Sequence, residues 1–138
     1  MERLVLAAVL VAAALAVAWV LRRRRPEPPT QPRRYRVPQQ LDRADFDHAD
    51  LPWLVVVFTS STCESCAGAL DKARVLGSAD VAVIDVSYQA RRDLHERYAI
   101  DAVPTTLVVD ADGVVQASFV GTPSATDLWA AVADARGA

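Results

Sequence analysis

The sequence predicts an α/β fold, a mixed four-stranded sheet flanked by helices, preceded by one N-terminal transmembrane helix. Three observations carry this expectation. An uncharged apolar stretch from Leu4 to Leu21 ends in Arg22, Arg23, Arg24 and Arg25. Behind it, WLVVVFT (Trp53–Thr59) is a continuous β-branched and aromatic run, the pattern of a strand buried on both faces. The punctuation of the remaining chain reads β-α-β-α-β-β-α.

The apolar stretch covers eighteen residues, the short end of what spans a bilayer as a helix. Trp19 falls near its arginine end, where an aromatic ring suits the membrane interface. A cleaved signal peptide competes with this reading, because Ala16-Val17-Ala18 has the small-x-small form of a cleavage site. Against it stand a weak positive start, with Arg3 offset by Glu2, and four arginines just beyond the cut that resist translocation. Residues 1–25 are therefore read as a membrane anchor with an arginine stop. Positive-inside counting places those arginines, and the domain after them, on the cytoplasmic side, with an extracytoplasmic domain as the alternative.

Residues 26–38 form a linker. Five of the eight prolines lie there with Arg33, Arg34 and Arg36, a composition too polar and too rich in proline to pack a core. Its arginines suit anionic headgroups, and a plain solubilising tether fits equally well. Charge separates this part from the rest. Residues 1–38 hold eight arginines against Glu2 and Glu27, whereas residues 39–138 hold seven basic against fifteen acidic side chains, balances of +6 and −8. So acidic a domain argues against nucleic acid as its partner, since phosphate binding needs a basic face.

Within residues 39–138 the elements follow in order. Trp53–Thr59 is the first strand, and Glu64 to Leu76 a helix in which Cys66, Ala67, Leu70 and Ala73 recur at three and four residues before Gly77 ends it. VAVIDV (Val81–Val86) is the second strand. QARRDLHERYAI follows as a helix with Ala90, Leu94 and Tyr98 on one face and His95 on a solvated one. TTLVVD (Thr105–Asp110), the turn Ala111-Asp112-Gly113 and VVQASFVG make a hairpin. In the last helix Ser124 and Asp127 fit a capping box, and Leu128, Trp129 and Val132 supply the apolar face. Two parallel strands joined through a helix, then an antiparallel pair, give the mixed sheet.

Chemistry concentrates at FTSSTCESC (residues 58–66), which holds the chain's two cysteines. Cys63 falls at the expected start of a helix, where free N–H groups and the macrodipole favour a thiolate, while Glu64 sets a negative charge beside it. Cys66, one turn on, is placed to resolve a mixed disulfide on Cys63. A metal clasp needs two more ligands, and His48 and His95, the two histidines, lack the spacing of a single-chain zinc site. Zinc shared between two copies, and a merely structural pair, are the alternatives. The acids Asp42, Asp45, Asp47 and Asp50 read as a solvated, helix-starting segment, and Thr59 to Thr62 as a loop over the cysteines without a base in view.

That element order, with Cys63-Glu64-Ser65-Cys66 closing the first buried strand, Val103-Pro104-Thr105-Thr106 before the hairpin and Gly121 in FVG, resembles the thioredoxin superfamily from about Trp53 onward. With its anchor and linker the chain is similar to membrane-anchored bacterial thioredoxin-domain proteins. The resemblance implies a thioredoxin-like fold and thiol–disulfide exchange with protein thiol and disulfide substrates. It makes Cys63 the nucleophile, Cys66 the resolving thiol, and Pro104 a cis proline that, with Val103 and Thr105, offers a backbone edge to the substrate. It implies no organic cofactor or metal and leaves the electron donor open. Departures are also visible. The family's tryptophan before the first cysteine and its Gly-Pro are replaced by Thr62 and Glu64-Ser65, and its buried acid and lysine align with Val57 and Val83. The reading from a different class is a non-enzymatic binding module of the same fold, tethered to the membrane.

Overall fold

The computed structural model describes Met1, residues 11–17 and residues 35–137. The chain divides into two compact units, Met1–Arg34 and Tyr35–Ala138. In the first, residues 11–17 are helical, with Val11, Leu15 and Val17 exposed. Among the described residues no helix is long and apolar enough to cross a membrane. Most of the expected anchor, with its four arginines, and residues 26–34 of the linker lie outside the described residues.

The second unit is built on four strands, β1 (Trp53–Thr59), β2 (Val81–Ser87), β3 (Thr105–Val109) and β4 (Val115–Val120), in the order β2-β1-β3-β4. β1 pairs parallel with β2 and antiparallel with β3, and β3 pairs antiparallel with β4, so the sheet is mixed as expected. Three helices connect or close it: α1 (Cys66–Arg74), α2 (Arg92–Arg97) and α3 (Ala125–Gly137).

β1 is buried on both faces because its neighbours cover both. Leu54, Val56 and Phe58 join Leu41, Phe46, Ala82, Val86, Leu94, Leu107 and Val109 in one cluster. Val55 and Val57 point the other way, into a cluster with Ala69, Leu70, Ala73, Val81, Val108, Leu128 and Val132 from α1, α3 and the sheet. All five of these β1 side chains are fully buried, and each such burial contributes about 1.5–3 kcal/mol.

Both early helices are shorter than their sequence patterns. α1 begins at Cys66, not at Glu64, because the Cys66 amide donates to Cys63 O (3.3 Å) in a tight turn and the first α-type bond runs from Ala69 N to Ser65 O (3.2 Å). α2 keeps only six residues. Its C-terminus closes in a Schellman arrangement, Ile100 N donating to His95 O (2.9 Å) and Ala99 N to Glu96 O (3.1 Å), with Ala99 at φ 51° where glycine is usual. The expected face is correspondingly altered: Leu94 is buried and Tyr98 half-buried, but Ala90 is exposed in the preceding turn.

His95 is a clear correction. It is 4% exposed, not solvated, and its Nε2–H donates to Val86 O at 2.7 Å. Its ring meets those of Phe58 and Tyr88 edge-on at centroid distances of 5.1 and 5.3 Å. Trp129 also departs from expectation. Leu128 and Val132 fill the α3 core face, while Trp129 stays 43% exposed with its indole N–H on Lys72 O (3.2 Å). The Ser124 half of the capping box forms, Asp127 N donating to Ser124 Oγ at 3.0 Å.

The acidic segment before β1 is a short 3-10 turn, Arg43–Asp45, capped by Asp42 and tied to α2. Asp45 accepts from the Tyr98 hydroxyl and from Arg97 (3.0 Å). Burial, then that bond to Asp45, holds the Tyr98 phenol above its ordinary value of 10.0.

His95→Ala removes a buried ring and orphans the Val86 carbonyl, and it is expected to lower stability by about 2–4 kcal/mol in urea titration. A loss below about 0.5 kcal/mol, the scale of surface substitutions, would return His95 to a solvated role.

Candidate active site

Strand alternation delivers the site. On the face toward α1, β1 presents Val55, Val57 and Thr59, and β2 presents Val81, Val83 and Asp85 beside them, with Val57 opposite Asp85 in register. Both rows are apolar until the last member and polar there. Thr59 Oγ1 donates to Asp85 Oδ1 at 2.6 Å, joining the two strands at the end where the cysteines lie.

The segment after Thr59 is held by β2 and the residues following it. Tyr88 N donates to Thr59 O (2.9 Å). Gln89 reaches across: its Oε1 accepts from Ser61 N (3.0 Å) and Ser87 Oγ (3.2 Å), and its Nε2 donates to Ser60 Oγ (3.1 Å). Ser60 O in turn accepts from Cys63 N at 3.1 Å, which sets the first cysteine. Cys63 therefore lies in the turn ahead of α1, and Cys66 is the first helical residue.

Cys63 and Cys66 are joined as a disulfide with Cα atoms 5.4 Å apart. Cys63 is half-buried and its Sγ lies 3.7 Å from Ser65 Oγ, whereas Cys66 is 4% exposed. A cavity of about 320 Å³ opens beside the pair, bounded by Thr59, Ser60, Cys63, Cys66, Leu70 and Asp85. Such an arrangement offers one sulfur to an incoming partner and keeps the other inside.

Val103, Pro104 and Thr105 do not line this cavity. The Val103–Pro104 peptide bond is cis. Thr105 pairs with Phe58, so the loop reaches the sheet at the same end as Thr59. Pro104 O accepts from Gly121 N (2.8 Å), and Thr122 Oγ1 donates to Ser65 O (3.3 Å), between the cysteines. The turn that carries Cys63 and Cys66 and the loops of Pro104 and Gly121 thus lie at the same end of the sheet. His48 lies in an exposed turn. Among the described residues no three His, Cys, Asp or Glu side chains gather to hold a metal.

No protein-family model matches the chain, and no curated protein matches it. Solved structures do. A mutant thioredoxin from Halobacterium salinarum superimposes with a TM-score of 0.56 at 21% identity, over 62% of this chain and 76% of the other. Thioredoxin f from spinach chloroplast gives 0.56 at 19% identity, over 73% and 97% of the two chains. The germline-specific thioredoxin Deadhead of Drosophila melanogaster gives 0.55 at 24%, over 62% and 83%.

The chain has a thioredoxin-like fold. Its site holds one group that the comparison of single positions does not reach. Val57 and Val83, read as replacements of a buried acid and a lysine, are indeed apolar and pack under α1. Yet the cavity does hold a carboxylate, from Asp85, one strand over from Val57 and one alternation beyond Val83. Period-two counting along VAVIDV would have found it, because residues 81, 83 and 85 share a face. Gln89 gives no such signal, because a glutamine after a strand carries no pattern.

The unequal burial of the two cysteines yields a direct expectation. After reduction, brief iodoacetamide treatment should label Cys63 at least about tenfold faster than Cys66, read by peptide mass spectrometry. Equal labelling would remove the reason for naming Cys63 as the attacking atom.

Proposed function

We propose that this protein is a thiol–disulfide oxidoreductase that exchanges disulfides with partner proteins through Cys63 and Cys66, held at a membrane by its N-terminal segment with the domain on the cytoplasmic side. The observation that carries the chemistry is the Cys63–Cys66 disulfide at the mouth of a cavity, one sulfur accessible and the other buried in a thioredoxin-like fold.

In the reducing direction the Cys63 thiolate attacks one sulfur of a partner disulfide. That bond breaks, the other partner sulfur leaves with the electron pair and takes up a proton, and a mixed disulfide remains on Cys63. Cys66, as thiolate, then attacks Cys63 Sγ. The second partner thiol is released, and the Cys63–Cys66 bond forms, so the partner gains two electrons and the protein loses two. Val103, Pro104 and Thr105, at the sheet end next to the cysteine turn, offer the backbone edge along which the partner segment lies. A reductant from outside the chain returns the dithiol. In the cytoplasm, where the thiol pool keeps dithiols reduced, this is the favoured direction.

The membrane part rests on sequence: eighteen uncharged apolar residues followed by four arginines. The departures at Thr62 and Glu64-Ser65 favour a specialised partner over general disulfide reduction.

A full-length Cys66→Ser variant should accumulate mixed disulfides with partner proteins in cells, visible as reductant-sensitive adducts that vanish in Cys63→Ser, Cys66→Ser. If no adduct forms, the domain is instead a binding module. A reporter fused to the C-terminus should be active only as a cytoplasmic reporter, and activity of an external reporter would reverse the assigned side.

A further inference from the structure

The exchange just described contains one step that the two sulfurs cannot supply. Cys66 attacks only as a thiolate, and it is 4% exposed, so its proton has to leave from inside the fold. The cavity that Cys66 lines contains one side chain able to take it. Asp85 lines the same space, and Thr59, 6% exposed, lies there with its hydroxyl hydrogen already committed to Asp85 Oδ1 at 2.6 Å. A hydroxyl that donates to a carboxylate has its lone pairs left to accept, so it is placed to relay a proton to that carboxylate.

We propose that Asp85, through Thr59, is the proton acceptor for Cys66. The inference rests on the thiol–disulfide reading of the site. Cys66 S–H gives its proton to Thr59 Oγ1, directly or through water in the 320 Å³ cavity, as Thr59 gives its own to Asp85. The electron pair freed on sulfur forms the bond to Cys63 Sγ, the pair of the Cys63–partner bond leaves on the partner sulfur, and that thiolate takes up a proton. Asp85 is exposed, so the proton it holds returns to the departing thiolate or to solvent.

Among the described residues that line the cavity, Asp85 is the one carboxylate. β1 carries no titratable side chain, and β2 carries only Asp85. The turn brings Cys63 and an exposed Glu64. α1 brings Asp71, Lys72 and Arg74, with Asp71 and Arg74 paired at 3.2 Å and Lys72 Nζ on Pro123 O at 2.9 Å. Among the residues that line the cavity there is no lysine, arginine or histidine.

A carboxylate could act here in two opposite senses, and the test separates them. As a mere negative charge Asp85 opposes the Cys66 thiolate, and removing it speeds resolution. As a proton acceptor it makes the thiolate available, and removing it slows resolution. The full-length reduced protein is mixed with an aromatic disulfide whose thiolate is coloured. The first release reports attack by Cys63, and the second reports resolution by Cys66, with no protein partner needed.

In Asp85→Asn the second release at neutral pH should slow by roughly a hundredfold, the lower end for a positioned acid or base, while the first is unchanged. Thr59→Val should slow it as well. Asp85→Glu should recover most of the rate, and raising the pH past the ordinary thiol value of about 8.5 should narrow the gap. An unchanged or faster second release in Asp85→Asn, with the first release intact as proof of folding, overturns the proposal. Loss of both releases in the unmodified protein would instead sink the oxidoreductase reading itself.

Discussion

Everything in the folded domain depends on β1 being closed to water on both sides. Its alternating residues feed two separate cores, one under α2 and one under α1 and α3, and the strand has no solvated face on which to slip. A shift of one residue would exchange the two sets and set Phe58 against α1. The same rigidity aims the end of the strand. Thr59 is the last residue of β1, and the cysteine turn begins immediately after it, so the positional precision of the core is handed straight to the sulfurs.

From there the site is assembled by hydrogen bonds and not by packing. Gln89 links Ser60, Ser61 and Ser87, Ser60 O fixes Cys63 N, and Thr122 reaches Ser65 from the far side. These bonds are individually worth about 1 kcal/mol and most of them are exposed. The buried sulfur is thus built into the core, while the accessible one is presented on a surface loop that a partner can adjust.

Much of this was legible in the residues, and the failures have physical reasons. Trp53–Thr59 reads correctly because a strand covered on both faces has no polar interruptions. The hairpin reads correctly because Gly113 takes a positive φ of 83°. The sequence pattern runs past the end of α2 because its stop is Ala99, a residue that favours helices and here lies in the left-handed region, held by the two capping bonds. His95 reads as solvated because histidine is polar on average, while here one carbonyl and two aromatic rings satisfy it. Asp85 is not legible when single positions are matched to a family, a comparison that stops at Val57 and Val83; it stands out only as the third member of a β2 face.

The sheet's outer margins show a further effect of that aspartate. β2 forms one border of the sheet, and a border strand with bare amides invites strands of other chains. An exposed carboxylate in such a border makes apolar strand addition there costly. The opposite border is blunted by other means, through the irregular register between Val108 and Val109 and the isolated Gln40–Val114 bridge. Asp85 therefore belongs to the domain's colloidal behaviour as much as to its cavity, and the chain meets two requirements of a small sheet protein with one side chain.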